Sequence, residues 1–156
     1  MGAVYGITGS LTLTANTANQ LVLGIVSAGS TSDAVLTWLD VTMDSATPAQ
    51  GVKIELVRYT AGPPTNTTYT PNKLSAAAQS VAASFIAWIP PITPGANTGP
   101  VPTKTWYLPP TGGVLVQYPL SREDYLLPGS AVWTGLRAST PAGVAPDLAF
   151  NLSWVE

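Results

Sequence analysis

The stretch from Trp106 to Arg137, WYLPPTGGVLVQYPLSREDYLLPGSAVWTGLR, sets short apolar runs between Pro and Gly punctuation, and this decides the fold class. Pro109 and Pro110 have no amide hydrogen to give a β-ladder, and Gly112 and Gly113 tolerate positive φ. The chain is therefore predicted to turn there before extending through Val114, Leu115 and Val116. A second turn is expected over Leu127-Pro128-Gly129-Ser130. Strands are predicted at Lys104–Leu108, Val114–Gln117, Glu123–Leu126 and Ala131–Arg137. Between them Ser121-Arg122-Glu123-Asp124 forms the densest charge cluster of the chain.

Outward from this block the same pattern repeats. Leu148 to Val155 reads as the closing strand. Toward the N-terminus, strands are predicted over Val4–Thr14, broken at Gly9-Ser10, and over Gln20–Ser27. From Val35 to Met43 a strict alternation puts Val35, Thr37, Leu39, Val41 and Met43 on a core face, with Leu36, Trp38, Asp40 and Thr42 on a half-wet one. Val52, Ile54 and Leu56 alternate with Lys53, Glu55 and Val57 in a strand running on to Tyr59. Ala61–Asn72 is Pro- and Thr-rich and is expected to be a projecting contact loop. Lys73–Ile89 fits both periods; a strand over Ser80–Trp88, after one helical turn, is the chosen reading. Pro90–Thr103 excludes regular structure over most of its length. These signals predict one all-β domain over residues 1–156, an antiparallel β-sandwich of jelly-roll type with long Pro/Thr-rich loops.

Composition narrows the function. Charged residues are 9% of the chain and apolar residues 46%, against about 25% charged in ordinary soluble domains. The surface must then be largely Thr, Ser, Asn, Gly, Pro and Ala, with little charge repulsion to keep neighbours apart. Association is the expectation, although hydroxyl-rich secreted β proteins also run low in charge. Net charge is −2 and the cations are scattered, which argues against nucleic acid as a partner. The longest apolar run near the N-terminus, Leu21–Val26, is too short to span a bilayer, and no signal or lipidation pattern precedes it. The expectation is a chain that stays in the cytoplasm of its producer unless it leaves inside something larger or by lysis, with no membrane partner.

The sequence has no His and no Cys, so the commonest general base and the usual zinc ligands are missing and no cofactor motif is present. Asp40 and Asp44 would stand roughly 13 Å apart on one strand, beyond the ~5–9.5 Å used by paired glycosidase carboxylates. Glu123 and Asp124 are adjacent and point to opposite faces; a pair such as Glu123 with Asp147 would have to be assembled by the fold. The expectation is a non-enzyme with no metal or cofactor. Asn66-Thr67-Thr68 and Asn151-Leu152-Ser153 match the glycosylation acceptor and are read as chance triplets. Candidate contact residues are Tyr69, Trp106, Tyr118, Arg122, Glu123 and Tyr125. Trp106-Tyr107 places two rings on opposite faces of one strand, so at most one is core-facing, and a free ring can anchor a partner or stack on a sugar.

The block YLPPTGGVLVQYPLSREDYLLPGSAVWTGLRASTPAGVAP, with the closing LSWVE, resembles small virion proteins of tailed phages, and KIELVRYTAG at Lys53–Gly62 shows a looser likeness. The shared features are Pro-Pro, Gly-Gly, Gln-x-Pro-Leu, a Pro-Gly turn, a Gly-Leu-Arg strand and a Pro-Ala turn before an aromatic terminal strand. Ser121-Arg122-Glu123 departs from the pattern, which has a glycine after the leucine. The resemblance implies a decoration or cement protein on the capsid surface of the virion, usually a trimer, with the major capsid protein of a phage head as partner. It carries no functional residues over. The rival expectation is a glycan-binding module of a tail fibre or adhesin, with Trp106 or Tyr69 as the stacking ring.

Overall fold

In a computed structural model of the chain, residues 4–27, 34–44, 51–59, 68–69, 71–74, 85–88, 101–110, 112–117, 126–127, 133–143 and 145–156 are described. They form strands β1 (Val4–Thr12), β2 (Gln20–Ser27), β3 (Ala34–Asp44), β4 (Val52–Tyr59), β5 (Thr68–Tyr69) and β6 (Asn72–Lys73). The series continues with β7 (Phe85–Trp88), β8 (Val101–Leu108), β9 (Gly112–Gln117), β10 (Leu126–Leu127), β11 (Trp133–Ser139) and β12 (Asp147–Val155). No helix occurs among the described residues.

The strands form two six-stranded sheets, with every pairing antiparallel. In the first, β6, β1, β12 and β3 lie side by side, and β9 and β10 follow one another along the far edge of β3. The second runs β5-β7-β2-β11-β4-β8. Both sheets bury one face in a shared core, where Leu39, Val41, Leu148 and Trp154 of the first meet Val22, Val52, Ile54 and Leu136 of the second. The hydrophobic effect selects this pairing of faces, because period-2 alternation gives each strand one apolar side.

The segment between β4 and β8 serves both sheets on one side of the molecule. It adds β6 to the β1 edge of the first and β7 with β5 to the β2 edge of the second. Part of Ala61–Asn72, expected to project as a loop, is thus strand: Thr68–Tyr69 pairs with β7, and Asn72 starts β6. Residues 61–67 and 70 lie outside the described residues.

Several boundaries differ from the expectations. β1 is unbroken, because Gly9 and Ser10 stay in register with Phe150 and Ala149. β8 begins at Val101, inside the Pro-rich stretch; Pro102 is tolerated because β8 is an edge strand. Gly112 and Gly113 belong to β9 rather than to the turn before it. Of the predicted strand Ser80–Trp88, Phe85–Trp88 is strand and 80–84 lie outside the described residues. Of Glu123–Leu126, Leu126 alone is described, in β10.

The alternation read for β3 holds over only half its length. Leu39, Val41 and Met43 are buried as expected, but Leu36 is buried too, at 1% exposure, while Val35 and Thr37 are only half-buried. The reason is a β-bulge. Ser153 pairs with Trp38 and Trp154 with Leu36, leaving Thr37 as the extra residue, and one extra residue reverses the phase of everything before it. The Thr37 hydroxyl fixes the bulge by donating to the Ser153 carbonyl at 3.1 Å and lying 3.1 Å from the Ser153 hydroxyl.

Candidate functional site

Of the predicted contact residues, Tyr118, Arg122, Glu123 and Tyr125 lie outside the described residues, as do the Ser121–Asp124 cluster and the turn at Pro128–Ser130. Tyr69 is described as backbone alone, paired with Ala87 in the second sheet. Trp106 is placed in full, and it is not the free ring. Its cross-strand neighbour is Ile54, and its side chain packs half-buried against the shared core. Tyr107, one residue on, is 78% exposed on the outer face of the same edge strand. Sequence parity showed that one of the two rings must face out; the register against β4 selects which.

That outer face of the second sheet holds the main group of charges among the described residues. Lys53 stands opposite Tyr107, and Glu55 opposite Arg137 of β11. Arg137 Nε donates to Glu55 Oε2 at 2.7 Å, and Lys53 Nζ lies 3.2 Å from Glu55 Oε1. The Glu55 and Arg137 side chains are only 6% and 9% exposed, so this is a buried, charge-assisted pair with a second cation that is one-third exposed. Burial by itself would raise the Glu55 carboxyl; the hydrogen bonds from Arg137 and Lys53 and their charges outweigh it and hold the carboxyl below its usual range. Burial pushes the Tyr59 phenol up, against the opposing charge and hydrogen bond of Arg137.

Beside the pair lies a small apolar cluster of Leu21, Val57, Tyr59 and Trp133, all buried although they stand on the side of the sheet turned from the shared core. Tyr59 and Trp133 stack with ring centroids 3.9 Å apart and planes 8° from parallel. Gly135 makes this possible: a Cβ there would lie 2.7 Å from the Tyr59 ring and 2.9 Å from Leu21. With its single carboxylate neutralised by two cations, the group is built to hold β4 against β11. It has no free acid and base to move a proton.

A different surface forms at the end of the sandwich carrying the β1–β2 and β11–β12 connections. Asn16 and Asn19 take positive φ, 53° and 57°, as asparagine does in tight turns. The two connections are tied to each other by neutral groups. Asn16 N donates to Pro141 O at 3.0 Å, Thr140 N to Thr17 O at 3.0 Å, and Leu13 N to Pro146 O at 2.9 Å. Gln20 Nε2 reaches Thr14 O at 2.8 Å and Thr140 Oγ1 at 3.1 Å, while Thr140 Oγ1 donates to Thr14 O at 2.6 Å. The side chains left exposed on the two connections are Thr14, Asn16, Ala18, Asn19, Ala142 and Ala145, all neutral, and the exposed Asp147 carboxylate, bonded to Thr12, borders them at the start of β12. The two connections thus form an uncharged platform, bordered by Asp147, whose turns are fixed by hydrogen bonds within the chain.

Asp147, considered as half of an acid pair with Glu123, accepts a hydrogen bond from the Thr12 hydroxyl; Glu123 lies outside the described residues. Asn151, in the second acceptor-like triplet, sits in mid-strand in β12, paired with Thr8 and Asp40. No group of His, Cys, Asp or Glu able to hold a metal occurs among the described residues. No protein-family model, curated protein or solved structure matches the chain.

Proposed function

We propose that this chain is a jelly-roll structural protein of a virion, a decoration or cement protein that sits on the outer surface of a phage head as a homo-oligomer, with a trimer favoured, and reinforces the shell. The strand order supports the jelly-roll reading. Setting aside the short strands β5, β6, β7 and β10, the two sheets read β1-β12-β3-β9 and β2-β11-β4-β8. Consecutive long strands cross between sheets at each step except β4 to β8, which is the nesting of two Greek keys found in capsid and lectin jelly rolls.

The observation that carries the functional reading is the uncharged platform of the β1–β2 and β11–β12 connections. Its exposed groups are fixed by hydrogen bonds within the chain, so binding costs little further ordering. A lattice presents the same contact many times, which lets individually weak neutral contacts add up. The proposed contacts at Tyr118–Tyr125, Ala61–Asn72 and Pro90–Thr103 belong to the same reading.

The test is to add the purified chain to heads that lack it and to count copies per head. Saturation at a number fixed by the capsid lattice supports the proposal, and failure to bind at any concentration refutes it. Unchanged occupancy after substitution of Arg122 and Tyr125 would remove that segment from the contact. One observation favours a second reading, a glycan-binding module: Tyr107 presents a free ring beside Lys53. Capture of a defined saccharide by the isolated chain, lost in Tyr107→Ala, would select it.

A further inference from the structure

Among the described residues the four lateral edges of the two sheets, one of them shared by β9 and the two-residue β10, are protected unequally. An edge strand exposes unpaired amides and carbonyls, and proteins blunt such edges by keeping them short or by placing Lys and Pro on them. β5 and β6 are two residues long. β8 carries Pro102 and an exposed Lys104. β9, Gly-Gly-Val-Leu-Val-Gln, is six residues long with no charge and no Pro, and none of its residues is buried. Among the described residues no strand pairs with its far edge.

The side chains of β9 extend the apolar character of that edge. Val114 and Val116 are only partly buried against the shared core, and Leu115, opposite Asp40 on the outer face, is 59% exposed. The strand is also self-complementary. In an antiparallel pairing of two copies about a two-fold axis at residue 115, Leu115 meets its own equivalent and Val114 meets Val116. Gly113 then falls opposite Gln117. Apolar faces apolar over the three central residues, with Gln117 at each end opposite a glycine, and no like charges are brought opposite one another.

We infer that β9 is a two-fold pairing edge through which a second copy of this chain continues the first sheet across the subunit boundary, in register about Leu115. This contact belongs to the isolated chain and does not rest on its binding a shell. A two-fold contact does not close a trimer; it joins trimers to one another, as reinforcement of a shell surface requires.

Sedimentation equilibrium of the full chain tests the inference. Leu115→Lys and Leu115→Glu each place like charges directly opposite one another across the axis, so each variant alone loses this contact and sediments at the lower mass of the unit that it joins. An equimolar mixture, in which Lys faces Glu, restores the wild-type mass. Wild-type mass unchanged by Leu115→Lys, or a mixture that stays at the mass of the single variants, overturns the inference. Amide exchange of the wild type is the second readout and needs no variant. Protection at Val114–Val116 rises with protein concentration if the edge pairs, and concentration-independent exchange there overturns it.

Discussion

Replacing Arg137 by Met isolates the buried pair on the outer face of the second sheet. The substitution keeps the length and most of the volume of the side chain but removes the donor lying 2.7 Å from Glu55. Stranding one partner of a buried pair costs about 3–5 kcal/mol. Lys53 remains 3.2 Å from the other carboxylate oxygen and is one-third exposed, so the lower end, about 3 kcal/mol, is expected. For a chain of this size that lowers Tm by about 6–12 °C. The pH dependence identifies the cause. In the wild type the folded Glu55 carboxyl lies below its unfolded value, so its stabilisation is complete above the unfolded pKa, about 4.3, and is lost as pH falls through the lower folded value. Without Arg137 burial is opposed by Lys53 alone and the carboxyl moves up from its wild-type position. Ionised Glu55 then stabilises the fold less at neutral pH than in the wild type, and the deficit is relieved as acid protonates the carboxyl in both proteins. The gap between wild type and Arg137→Met therefore narrows as pH falls from neutral into the acid range. Denaturant unfolding of both proteins at a series of pH values measures it. A loss under about 1 kcal/mol at neutral pH, or a gap independent of pH, would refute the reasoning. The double replacement Glu55→Leu with Arg137→Met should recover most of the loss, since no unpaired charge is left inside.

Gly51→Ala drives a methyl group into the carbonyl oxygen of Leu108, a backbone atom with little freedom to move; a loss of about 3 kcal/mol in denaturant unfolding is expected. Thr37→Val keeps the shape of the β3 bulge but deletes its bond to the Ser153 carbonyl, costing about 1 kcal/mol in the same assay. Tyr107→Ala leaves unfolding within about 0.5 kcal/mol of wild type, because the ring is free; a larger loss would mean that the ring is packed in solution. If the neutral platform makes the shell contact, occupancy of heads in a binding titration changes little between low and physiological salt. A steep fall with salt would point instead to the Arg122–Asp124 cluster.

The period-2 signal made the fold class legible, and for a physical reason: burying one face of a sheet forces apolar and polar residues to alternate. The strands around Ile7, Ile25, Ile54, Leu136 and Leu152 are placed within a few residues on that basis. The Leu36–Trp38 segment was not readable. A bulge inserts one residue with no local signature, and Thr37 resembles any other strand threonine until its partner Ser153 is known. The same holds for Trp106 and Tyr107, whose facing depends on register with β4 rather than on either residue. Glu55 and Arg137 were legible as a strand charge and a strand end but not as a pair, because 82 positions separate them in sequence. The short strands β5 and β6 escaped because two residues among Pro and Thr carry no periodicity; they exist only through the edges they complete.

The distribution of charge ties these features together. The composition is already poor in charge, and two of its charged residues, Glu55 and Arg137, are withdrawn from the surface into a bond between β4 and β11. The end platform satisfies its turns with Thr, Asn, Gln and main-chain groups, and β9 carries no ion at all. Neither surface has the repulsion that keeps an ordinary soluble domain apart from its copies. What limits association is then the supply of open edges, and the insertion between β4 and β8 reduces that supply on one side of the molecule with β5, β6 and β7. On the opposite side, Pro102 and Lys104 defend β8, which leaves β9 as the undefended edge among the described residues. A chain selected to remain solitary has cheap remedies there, since one lysine in place of the exposed Leu115 would cost almost nothing in folding. The leucine is instead centred between two valines on a strand that can meet itself, and the two-fold pairing proposed for β9 would use it as its central contact.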